Sequence, residues 1–278
     1  MIKELNEIAK LKNFSYKNKF FKKLKKKVIF SIKKNFNSKY KKINLTNKIN
    51  IFHPKVSFGN ISSLNLLEID ELLIFKFYLR NYSNYKKIID IGANIGLHSI
   101  INSKLGLKVE SYEPDPWHFK LMRENIEKNK VKKIKIIKAA VSNKFKLAHF
   151  TRVLGNTTGS HLTGAKKEVY NETEKFTVRV VPISQILKKE KCLVKIDAEG
   201  EEARILNSLK KKHLIGNDFI CEVGSKDNAK IIYQKLKKEK INSYAQKINF
   251  KKVKKLSDIP TSYKEGSLFI SSKNIWKI

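Results

Sequence analysis

Residues 86–96 read KKIIDIGANIG, and the fold turns on this stretch. Ile88, Ile89 and Ile91, broken only by Asp90, have the β-branched, apolar character of a short buried strand. Gly92 and Gly96 then bracket Ala93-Asn94-Ile95, and Leu97, His98, Ser99, Ile100 and Ile101 continue as the first turns of a helix. In a strand, glycine turn and helix of this kind, the main chain is bare where free N–H groups open a helix, so a ligand can approach it closely. The stretch predicts a ligand without naming it.

Working outward, the alternation repeats. Residues 62–82 hold Leu66, Leu67, Leu72, Leu73, Phe75 and Leu79 at helical spacing, a helix that feeds the first core strand. KVESYEP (108–114) reads as a strand. Asp115 as N-cap with Pro116 at the first helical position starts a helix over 115–130, and IKIIKAAV (134–141) is the next strand. Two β-like runs, 146–153 and 175–183, flank the polar loop 154–164, an antiparallel excursion. Strand 192–197, helix 201–213, strand 219–224 and helix 227–240 resume the pattern, and 247–253 and 266–272 close it as strands. Repeated βα units imply an α/β fold with a doubly wound, mostly parallel, Rossmann-like sheet. The chain divides into a basic, partly amphipathic N-terminal extension (1–60), a lead-in helix (61–85) and the α/β domain (86–278).

With 278 residues and 41% apolar content the chain can bury a sizeable core. No apolar run approaches the roughly 20 residues of a membrane span, and the N-terminus lacks the pattern of a signal peptide. Cys192 and Cys221 sit in apolar runs that suit buried strands in a reducing compartment. The expected location is the cytoplasm. The net charge of +35 invites a nucleic-acid reading, but only five of the 60 basic residues are arginine. So strong a lysine skew, beside abundant Asn and Ile, is what an AT-rich coding sequence gives, and the sum of charge does not by itself make a binding face. Its placement says more: residues 1–50 carry 16 lysines and two glutamates. Between Lys19 and Phe36, Phe21, Leu24, Val28, Ile32 and Phe36 recur at three- to four-residue steps among lysines, a basic amphipathic helix. Such a helix can lie on an anionic membrane at its inner face, dock on its own domain, or contact a polyanion.

In a doubly wound sheet the ligand lies beyond the carboxyl ends of the strands. Those ends are Asp90 to Gly96, Glu113, Ala139 to Ser142, Asp197 to Gly200, and Glu222, and four of the five carry a carboxylate. The spacing G-x-x-x-G, with Asp90 two residues ahead of Gly92, departs from the dinucleotide fingerprint. Asp90 would repel a pyrophosphate but suits an ammonium group, and Glu113 offers two acceptor oxygens to the hydroxyls of a ribose. S-adenosylmethionine satisfies both.

Taken together, IIDIGANIGLHS, YEPDP, ENIEKN, KAAVS and VKIDAEGEEARIL resemble the FkbM-type methyltransferases, a class I, S-adenosylmethionine-dependent family, over about Lys86 to Gly224. The resemblance implies that Asp90, Gly92, Asn94 and Gly96 line the methionine end of the cofactor, Glu113 the ribose, and Ala140 with Val141 the adenine. It places Asp197 and Glu199 toward the sulfonium and the acceptor. Gln185 in ISQIL stands where the family often has a carboxylate. His98, on the first helical turn, and His161, in the polar loop, are placed as alternative bases. Asp197, Glu199 and Glu222 would have to converge to bind a metal, and no metal is assigned.

After the fourth strand the chain reads DAEG, without the prolines and aromatic residue that hold a flipped base for amine methylation, and neither cysteine falls in a loop suited to attack on a pyrimidine. The reading is O-methylation of a hydroxyl on a sugar, surface glycan or secondary metabolite. Its rivals are a nucleic-acid methyltransferase, supported by charge alone, and a non-catalytic membrane- or polyanion-binding protein on the same fold.

Overall fold

The computed structural model describes residues 2–273 apart from residues 10, 12, 16, 35, 167–171, 188 and 189. Asn35, inside the expected basic helix, and the last five residues of the expected domain therefore lie outside the described residues. The chain opens with α1 (Ile2–Ala9), α2 (Lys19–Lys34) and a hairpin of β1 (Tyr40–Asn44) and β2 (Asn50–Pro54); α3 (Ile69–Asn81) then leads into β3 (Lys87–Ile91). The alternation follows with α4 (Leu97–Lys104), β4 (Lys108–Tyr112), α5 (Pro116–Lys128) and β5 (Ile134–Ile137). The excursion comprises β6 (Ala140–Ser142), β7 (Lys146–Val153), β8 (His161–Leu162) and β9 (Thr173–Pro182). After it come α6 (Ile183–Ile186), β10 (Cys192–Ile196), α7 (Glu202–Asn207), α8 (Lys211–Gly216), β11 (Asp218–Glu222), α9 (Lys226–Glu239), β12 (Ser243–Ala245), β13 (Lys251–Lys252) and β14 (Ser267–Ile270).

Among the described residues the main sheet has the order β13-β12-β14-β11-β10-β3-β4-β5. It is parallel from β11 through β5 and antiparallel at β14, β12 and β13. Strand order reverses between β3 and β10, which puts their carboxyl ends at the topological switch point. Every residue of β3 and β10 is buried, the pattern of strands covered on both faces. The excursion forms a second sheet, β6-β9-β7-β8.

Three segments differ from the sequence expectation, each for a local reason. IKIIKAAV is two strands, because Ala139 N donates to Ile137 O (3.0 Å) in a tight turn that lifts the chain off the main sheet and pairs Ala140–Ser142 with Val180–Pro182. The helix over 201–213 divides into α7 and α8 at Lys210, whose backbone is extended (φ −74°, ψ 156°). Residues 247–253 are not one strand, since Asn249 and Phe250 take left-handed φ values of 63° and 56°, and only Lys251-Lys252 pairs, with β12.

The amphipathic helix of the extension is present and docked. Phe21, Leu24 and Val28 of α2 are buried in the same core as α3, and Lys25 Nζ reaches Asp70 Oδ2 at 2.8 Å and Glu68 Oε2 at 3.2 Å. Ahead of α2, Phe14 N donates to Asn249 Oδ1 (3.0 Å), and rings step from Phe14 to Phe250 (5.3 Å), Phe269 (5.3 Å) and Phe77 (5.6 Å), joining the extension to β14 and α3. Among the described residues no helix is long and apolar enough to cross a membrane.

Candidate active site

The β3 turn sits where two strand ends touch. Gly92 has φ 73°, and a Cβ there would lie 1.8 Å from the carbonyl oxygen of Asp197; at Gly96 (φ 77°) it would lie 2.8 Å from Met122 Cγ. The glycines are thus required by the chain's own crossing of the β3 and β10 ends and the packing of α5. Gly92 N and Ala93 N both donate to Tyr112 O (3.0 Å each), which fixes the turn against the end of β4.

Beside this turn opens a cleft of about 430 Å³. On one wall Glu113 Oε2 accepts from Asn94 N (2.7 Å) and Oε1 from Asp115 N (2.9 Å). Burial pushes the Glu113 carboxyl up to about 8 despite these two amides, which favour its ionised form. Each oxygen keeps a lone pair beyond its backbone bond. Ala139, Ala140 and Val141 continue this wall as an apolar strip.

The loop of the excursion closes over this wall through a histidine that the sequence reading missed. His118 Nδ1 lies 2.7 Å from Asn94 Oδ1 and Nε2 lies 3.0 Å from Thr157 Oγ1, and burial lowers its pKa to about 4. Burial thus favours the neutral imidazole, which bridges Asn94 and Thr157 with one ring nitrogen donating and the other accepting. Its sequence signal is its place at N3 of a helix that starts from a strand end, two residues after Pro116. A second tie is stronger: Arg152 of β7 grips Asp115 with Nε to Oδ2 and Nη2 to Oδ1, both 2.7 Å, and holds Glu174 at 2.7 Å with Nη1. Burial alone would raise the Asp115 carboxyl; the guanidinium holds it below its ordinary value.

The opposite end of the cleft is acidic. Asp197, Glu199 and Glu222 from the β10 and β11 ends line it, with Glu68 and Glu71 from the start of α3. Asp197 is a quarter exposed, and buried Lys195 lies 3.2 Å from its Oδ2 and 3.8 Å from Asp90 Oδ1. Glu199 is committed to Lys166 Nζ and to the Tyr263 hydroxyl (2.9 Å), on a left-handed backbone of φ 50°. Burial, then the charges of Asp197 and Glu199, push Glu222 well above the usual carboxylate range. Among the described residues no three His, Cys, Asp or Glu side chains are arranged to hold a metal ion.

Of the residues singled out from sequence, the cleft brings together Gly92, Asn94, Glu113, Ala140, Val141, Asp197 and Glu199. Asp90 and Gly96 lie behind its wall: Asp90 is fully buried and accepts from Ser99 Oγ at 2.6 Å. The expected reach of His98 and His161 into the cleft gives way to other contacts. His98 is held 3.0 Å from the Tyr78 hydroxyl and 2.9 Å from Glu71 Oε2, and His161 faces the Gly159 carbonyl at 3.0 Å. Gln185 is exposed on α6, outside the lining.

The lining fits an adenosyl cofactor with an amino-acid tail, Glu113 offering its free lone pairs to a ribose and Ala139 to Val141 an apolar bed for a purine. Among solved structures the chain is similar to a precorrin-6y C5,15-methyltransferase from Geobacter metallireducens GS-15, at 11% identity and a TM-score of 0.36, over 69% of this chain and 84% of that one. It is also similar to a ribosomal protein L11 methylase from Lactobacillus delbrueckii subsp. bulgaricus, at 13% identity and TM-score 0.37, over 72% and 75%. A third is the Pyrococcus abyssi tRNA (uracil-54, C5)-methyltransferase in complex with S-adenosyl-L-homocysteine, at 11% identity and TM-score 0.37, over 84% and 44%. No curated protein sequence matches the chain. The methyltransferase FkbM domain profile matches residues 90–242, more than half of the chain and most of the cleft lining: the chain belongs to the FkbM methyltransferase family, and S-adenosylmethionine is its methyl donor.

Proposed function

We propose that the protein transfers a methyl group to a hydroxyl of a sugar or similar polyol acceptor, with Asp197 as the general base. The observation that carries this reading is Asp197 itself, a carboxylate open to the cleft at the switch point and held 3.2 Å from a buried lysine. The cofactor supplies an electrophilic methyl group on sulfur when bound. Asp197 takes the proton of the acceptor hydroxyl, and Lys195, 3.2 Å from its Oδ2, orients it for that transfer. Glu199, occupied by Lys166 and Tyr263, shapes the acceptor end instead. Glu222, pushed toward its protonated form, is a poor base near neutrality.

The same acidic end speaks against a nucleic-acid acceptor, whose phosphates would meet Glu68, Glu71, Asp197, Glu199 and Glu222. Cys192 and Cys221 are buried away from the lining, and burial pushes Cys192 up to about 11, far from a thiolate nucleophile. The test is formation of S-adenosylhomocysteine with nucleotide sugars and glycan extracts as acceptors, against RNA and DNA in parallel. Turnover on hydroxyl acceptors is expected; faster methylation of a nucleic acid would overturn the reading.

The Glu113 environment gives a pH prediction. A carboxyl with a pKa of about 8 in the free protein that is ionised when ribose hydroxyls donate to it loses a proton on binding. Affinity for S-adenosylhomocysteine should therefore rise with pH through neutrality and level off above about 8. Glu113→Gln should remove that slope relative to wild type and weaken binding by about 1–3 kcal/mol. Calorimetry in buffers of different ionisation enthalpy reads both, and an unchanged slope in the variant would take Glu113 out of the site.

A further inference from the structure

The apolar stripe of α2 is spent on the core, which leaves the opposite face to be explained. Lys22, Lys23, Lys26, Lys33 and Lys34 are exposed on it and surround Phe30, which is 69% exposed, within an arc of roughly 120° at 3.6 residues per turn. The helix contains no acidic residue. Among the described residues none of these five lysines pairs with a carboxylate, whereas the two nearer the core do, Lys25 with Glu68 and Asp70 and Lys27 with Glu7. Five unneutralised ammonium groups around a bare aromatic ring complement a surface with anionic headgroups outside and acyl chains beneath.

We propose that this outer face of α2 seats the protein on an anionic lipid bilayer, with the lysines on headgroup phosphates and the Phe30 ring at the acyl boundary. An anionic bilayer offers headgroup phosphates to the lysines and an apolar layer to the Phe30 ring, so one surface accounts for both features of the face. The seat is coupled to the cleft. Lys25 binds Glu68, a residue of the cleft lining, so the helix that meets the bilayer is bonded to the cleft wall.

The test uses the full-length chain and sedimentation with vesicles of phosphatidylcholine alone or with about 30 mol% phosphatidylglycerol, at near-physiological salt. Partitioning should be about tenfold higher on the anionic vesicles, and K22E/K26E/K33E should return it to the neutral-vesicle level. Phe30→Ser should lower it by about threefold, and Phe30→Trp should shift its emission to the blue on anionic vesicles only. All replaced side chains are exposed, and an unchanged melting temperature for each variant shows that the fold is intact. Equal partitioning on the two vesicle types, or full binding by the triple variant, would overturn the proposal. So would Phe30→Ser binding vesicles like wild type while the protein is retained more tightly on single-stranded RNA, which would assign the face to a polyanion.

Discussion

Asp197→Asn is expected to reduce turnover by about 10²- to 10⁴-fold while changing S-adenosylhomocysteine affinity by no more than about twofold. The amide keeps the shape of the carboxylate and an oxygen for Lys195 Nζ, now 3.2 Å away, but it neither carries charge nor accepts a proton at neutral pH. The fold should survive, because Lys195 is not left alone. Burial pulls the ammonium pKa down, Asp197 and Asp90 hold it above its ordinary value, and Asp90 at 3.8 Å remains in the variant. Product formation on the best hydroxyl acceptor measures the first part and calorimetry the second. A variant with wild-type turnover would move the base elsewhere in the acidic end, with Glu71 the side chain to replace next.

Arg152→Met should cost about 3 kcal/mol of stability, because it leaves Asp115, 1% exposed, as a buried carboxylate without its cation. The pH dependence separates this from a general packing defect. Asp115 has a lowered pKa in the folded protein, so its contribution is fully present above its unfolded value of about 3.9 and is lost as pH falls through the folded one. The deficit of the variant should therefore be largest at neutral pH and shrink on acidification. Arg152→Lys should recover only part of it, since one ammonium cannot reproduce two parallel hydrogen bonds. Urea unfolding at several pH values reads the difference. A loss that stays constant down to about pH 3 would mean that packing on Phe176, whose ring lies 4.9 Å from the guanidinium carbon, outweighs the ion pair.

What could be read in the sequence was what neighbouring residues determine. The β3 turn, the Asp115-Pro116 helix start and the carboxylates at the strand ends all announce themselves within a few positions, and they place Glu113 and Asp197 at the cleft. Features made by distant segments were not legible. His118 acquires its role from Asn94 and Thr157, and the glycines owe their necessity to Asp197 and Met122. His98 and His161 are the converse case: titratable residues at plausible positions, turned to Tyr78 and Gly159 by packing that no local pattern encodes. The hairpin of β1 and β2 escaped notice because lysine and asparagine dilute its alternation.

The stack from Phe14 through Phe250 to Phe269 also bears on how the protein is made. A ribosome releases residue 14 long before residue 250, so the extension emerges without the surface on which Phe14 rests or the Asn249 side chain that accepts from its amide. During most of synthesis that part of the extension lacks its Asn249 and Phe250 contacts, and it completes its packing only after the final strands leave the tunnel. Truncation near residue 240 would thus disturb the start of the chain as well as its end, and a nascent protein stalled there would present an unfinished amino terminus to chaperones and proteases.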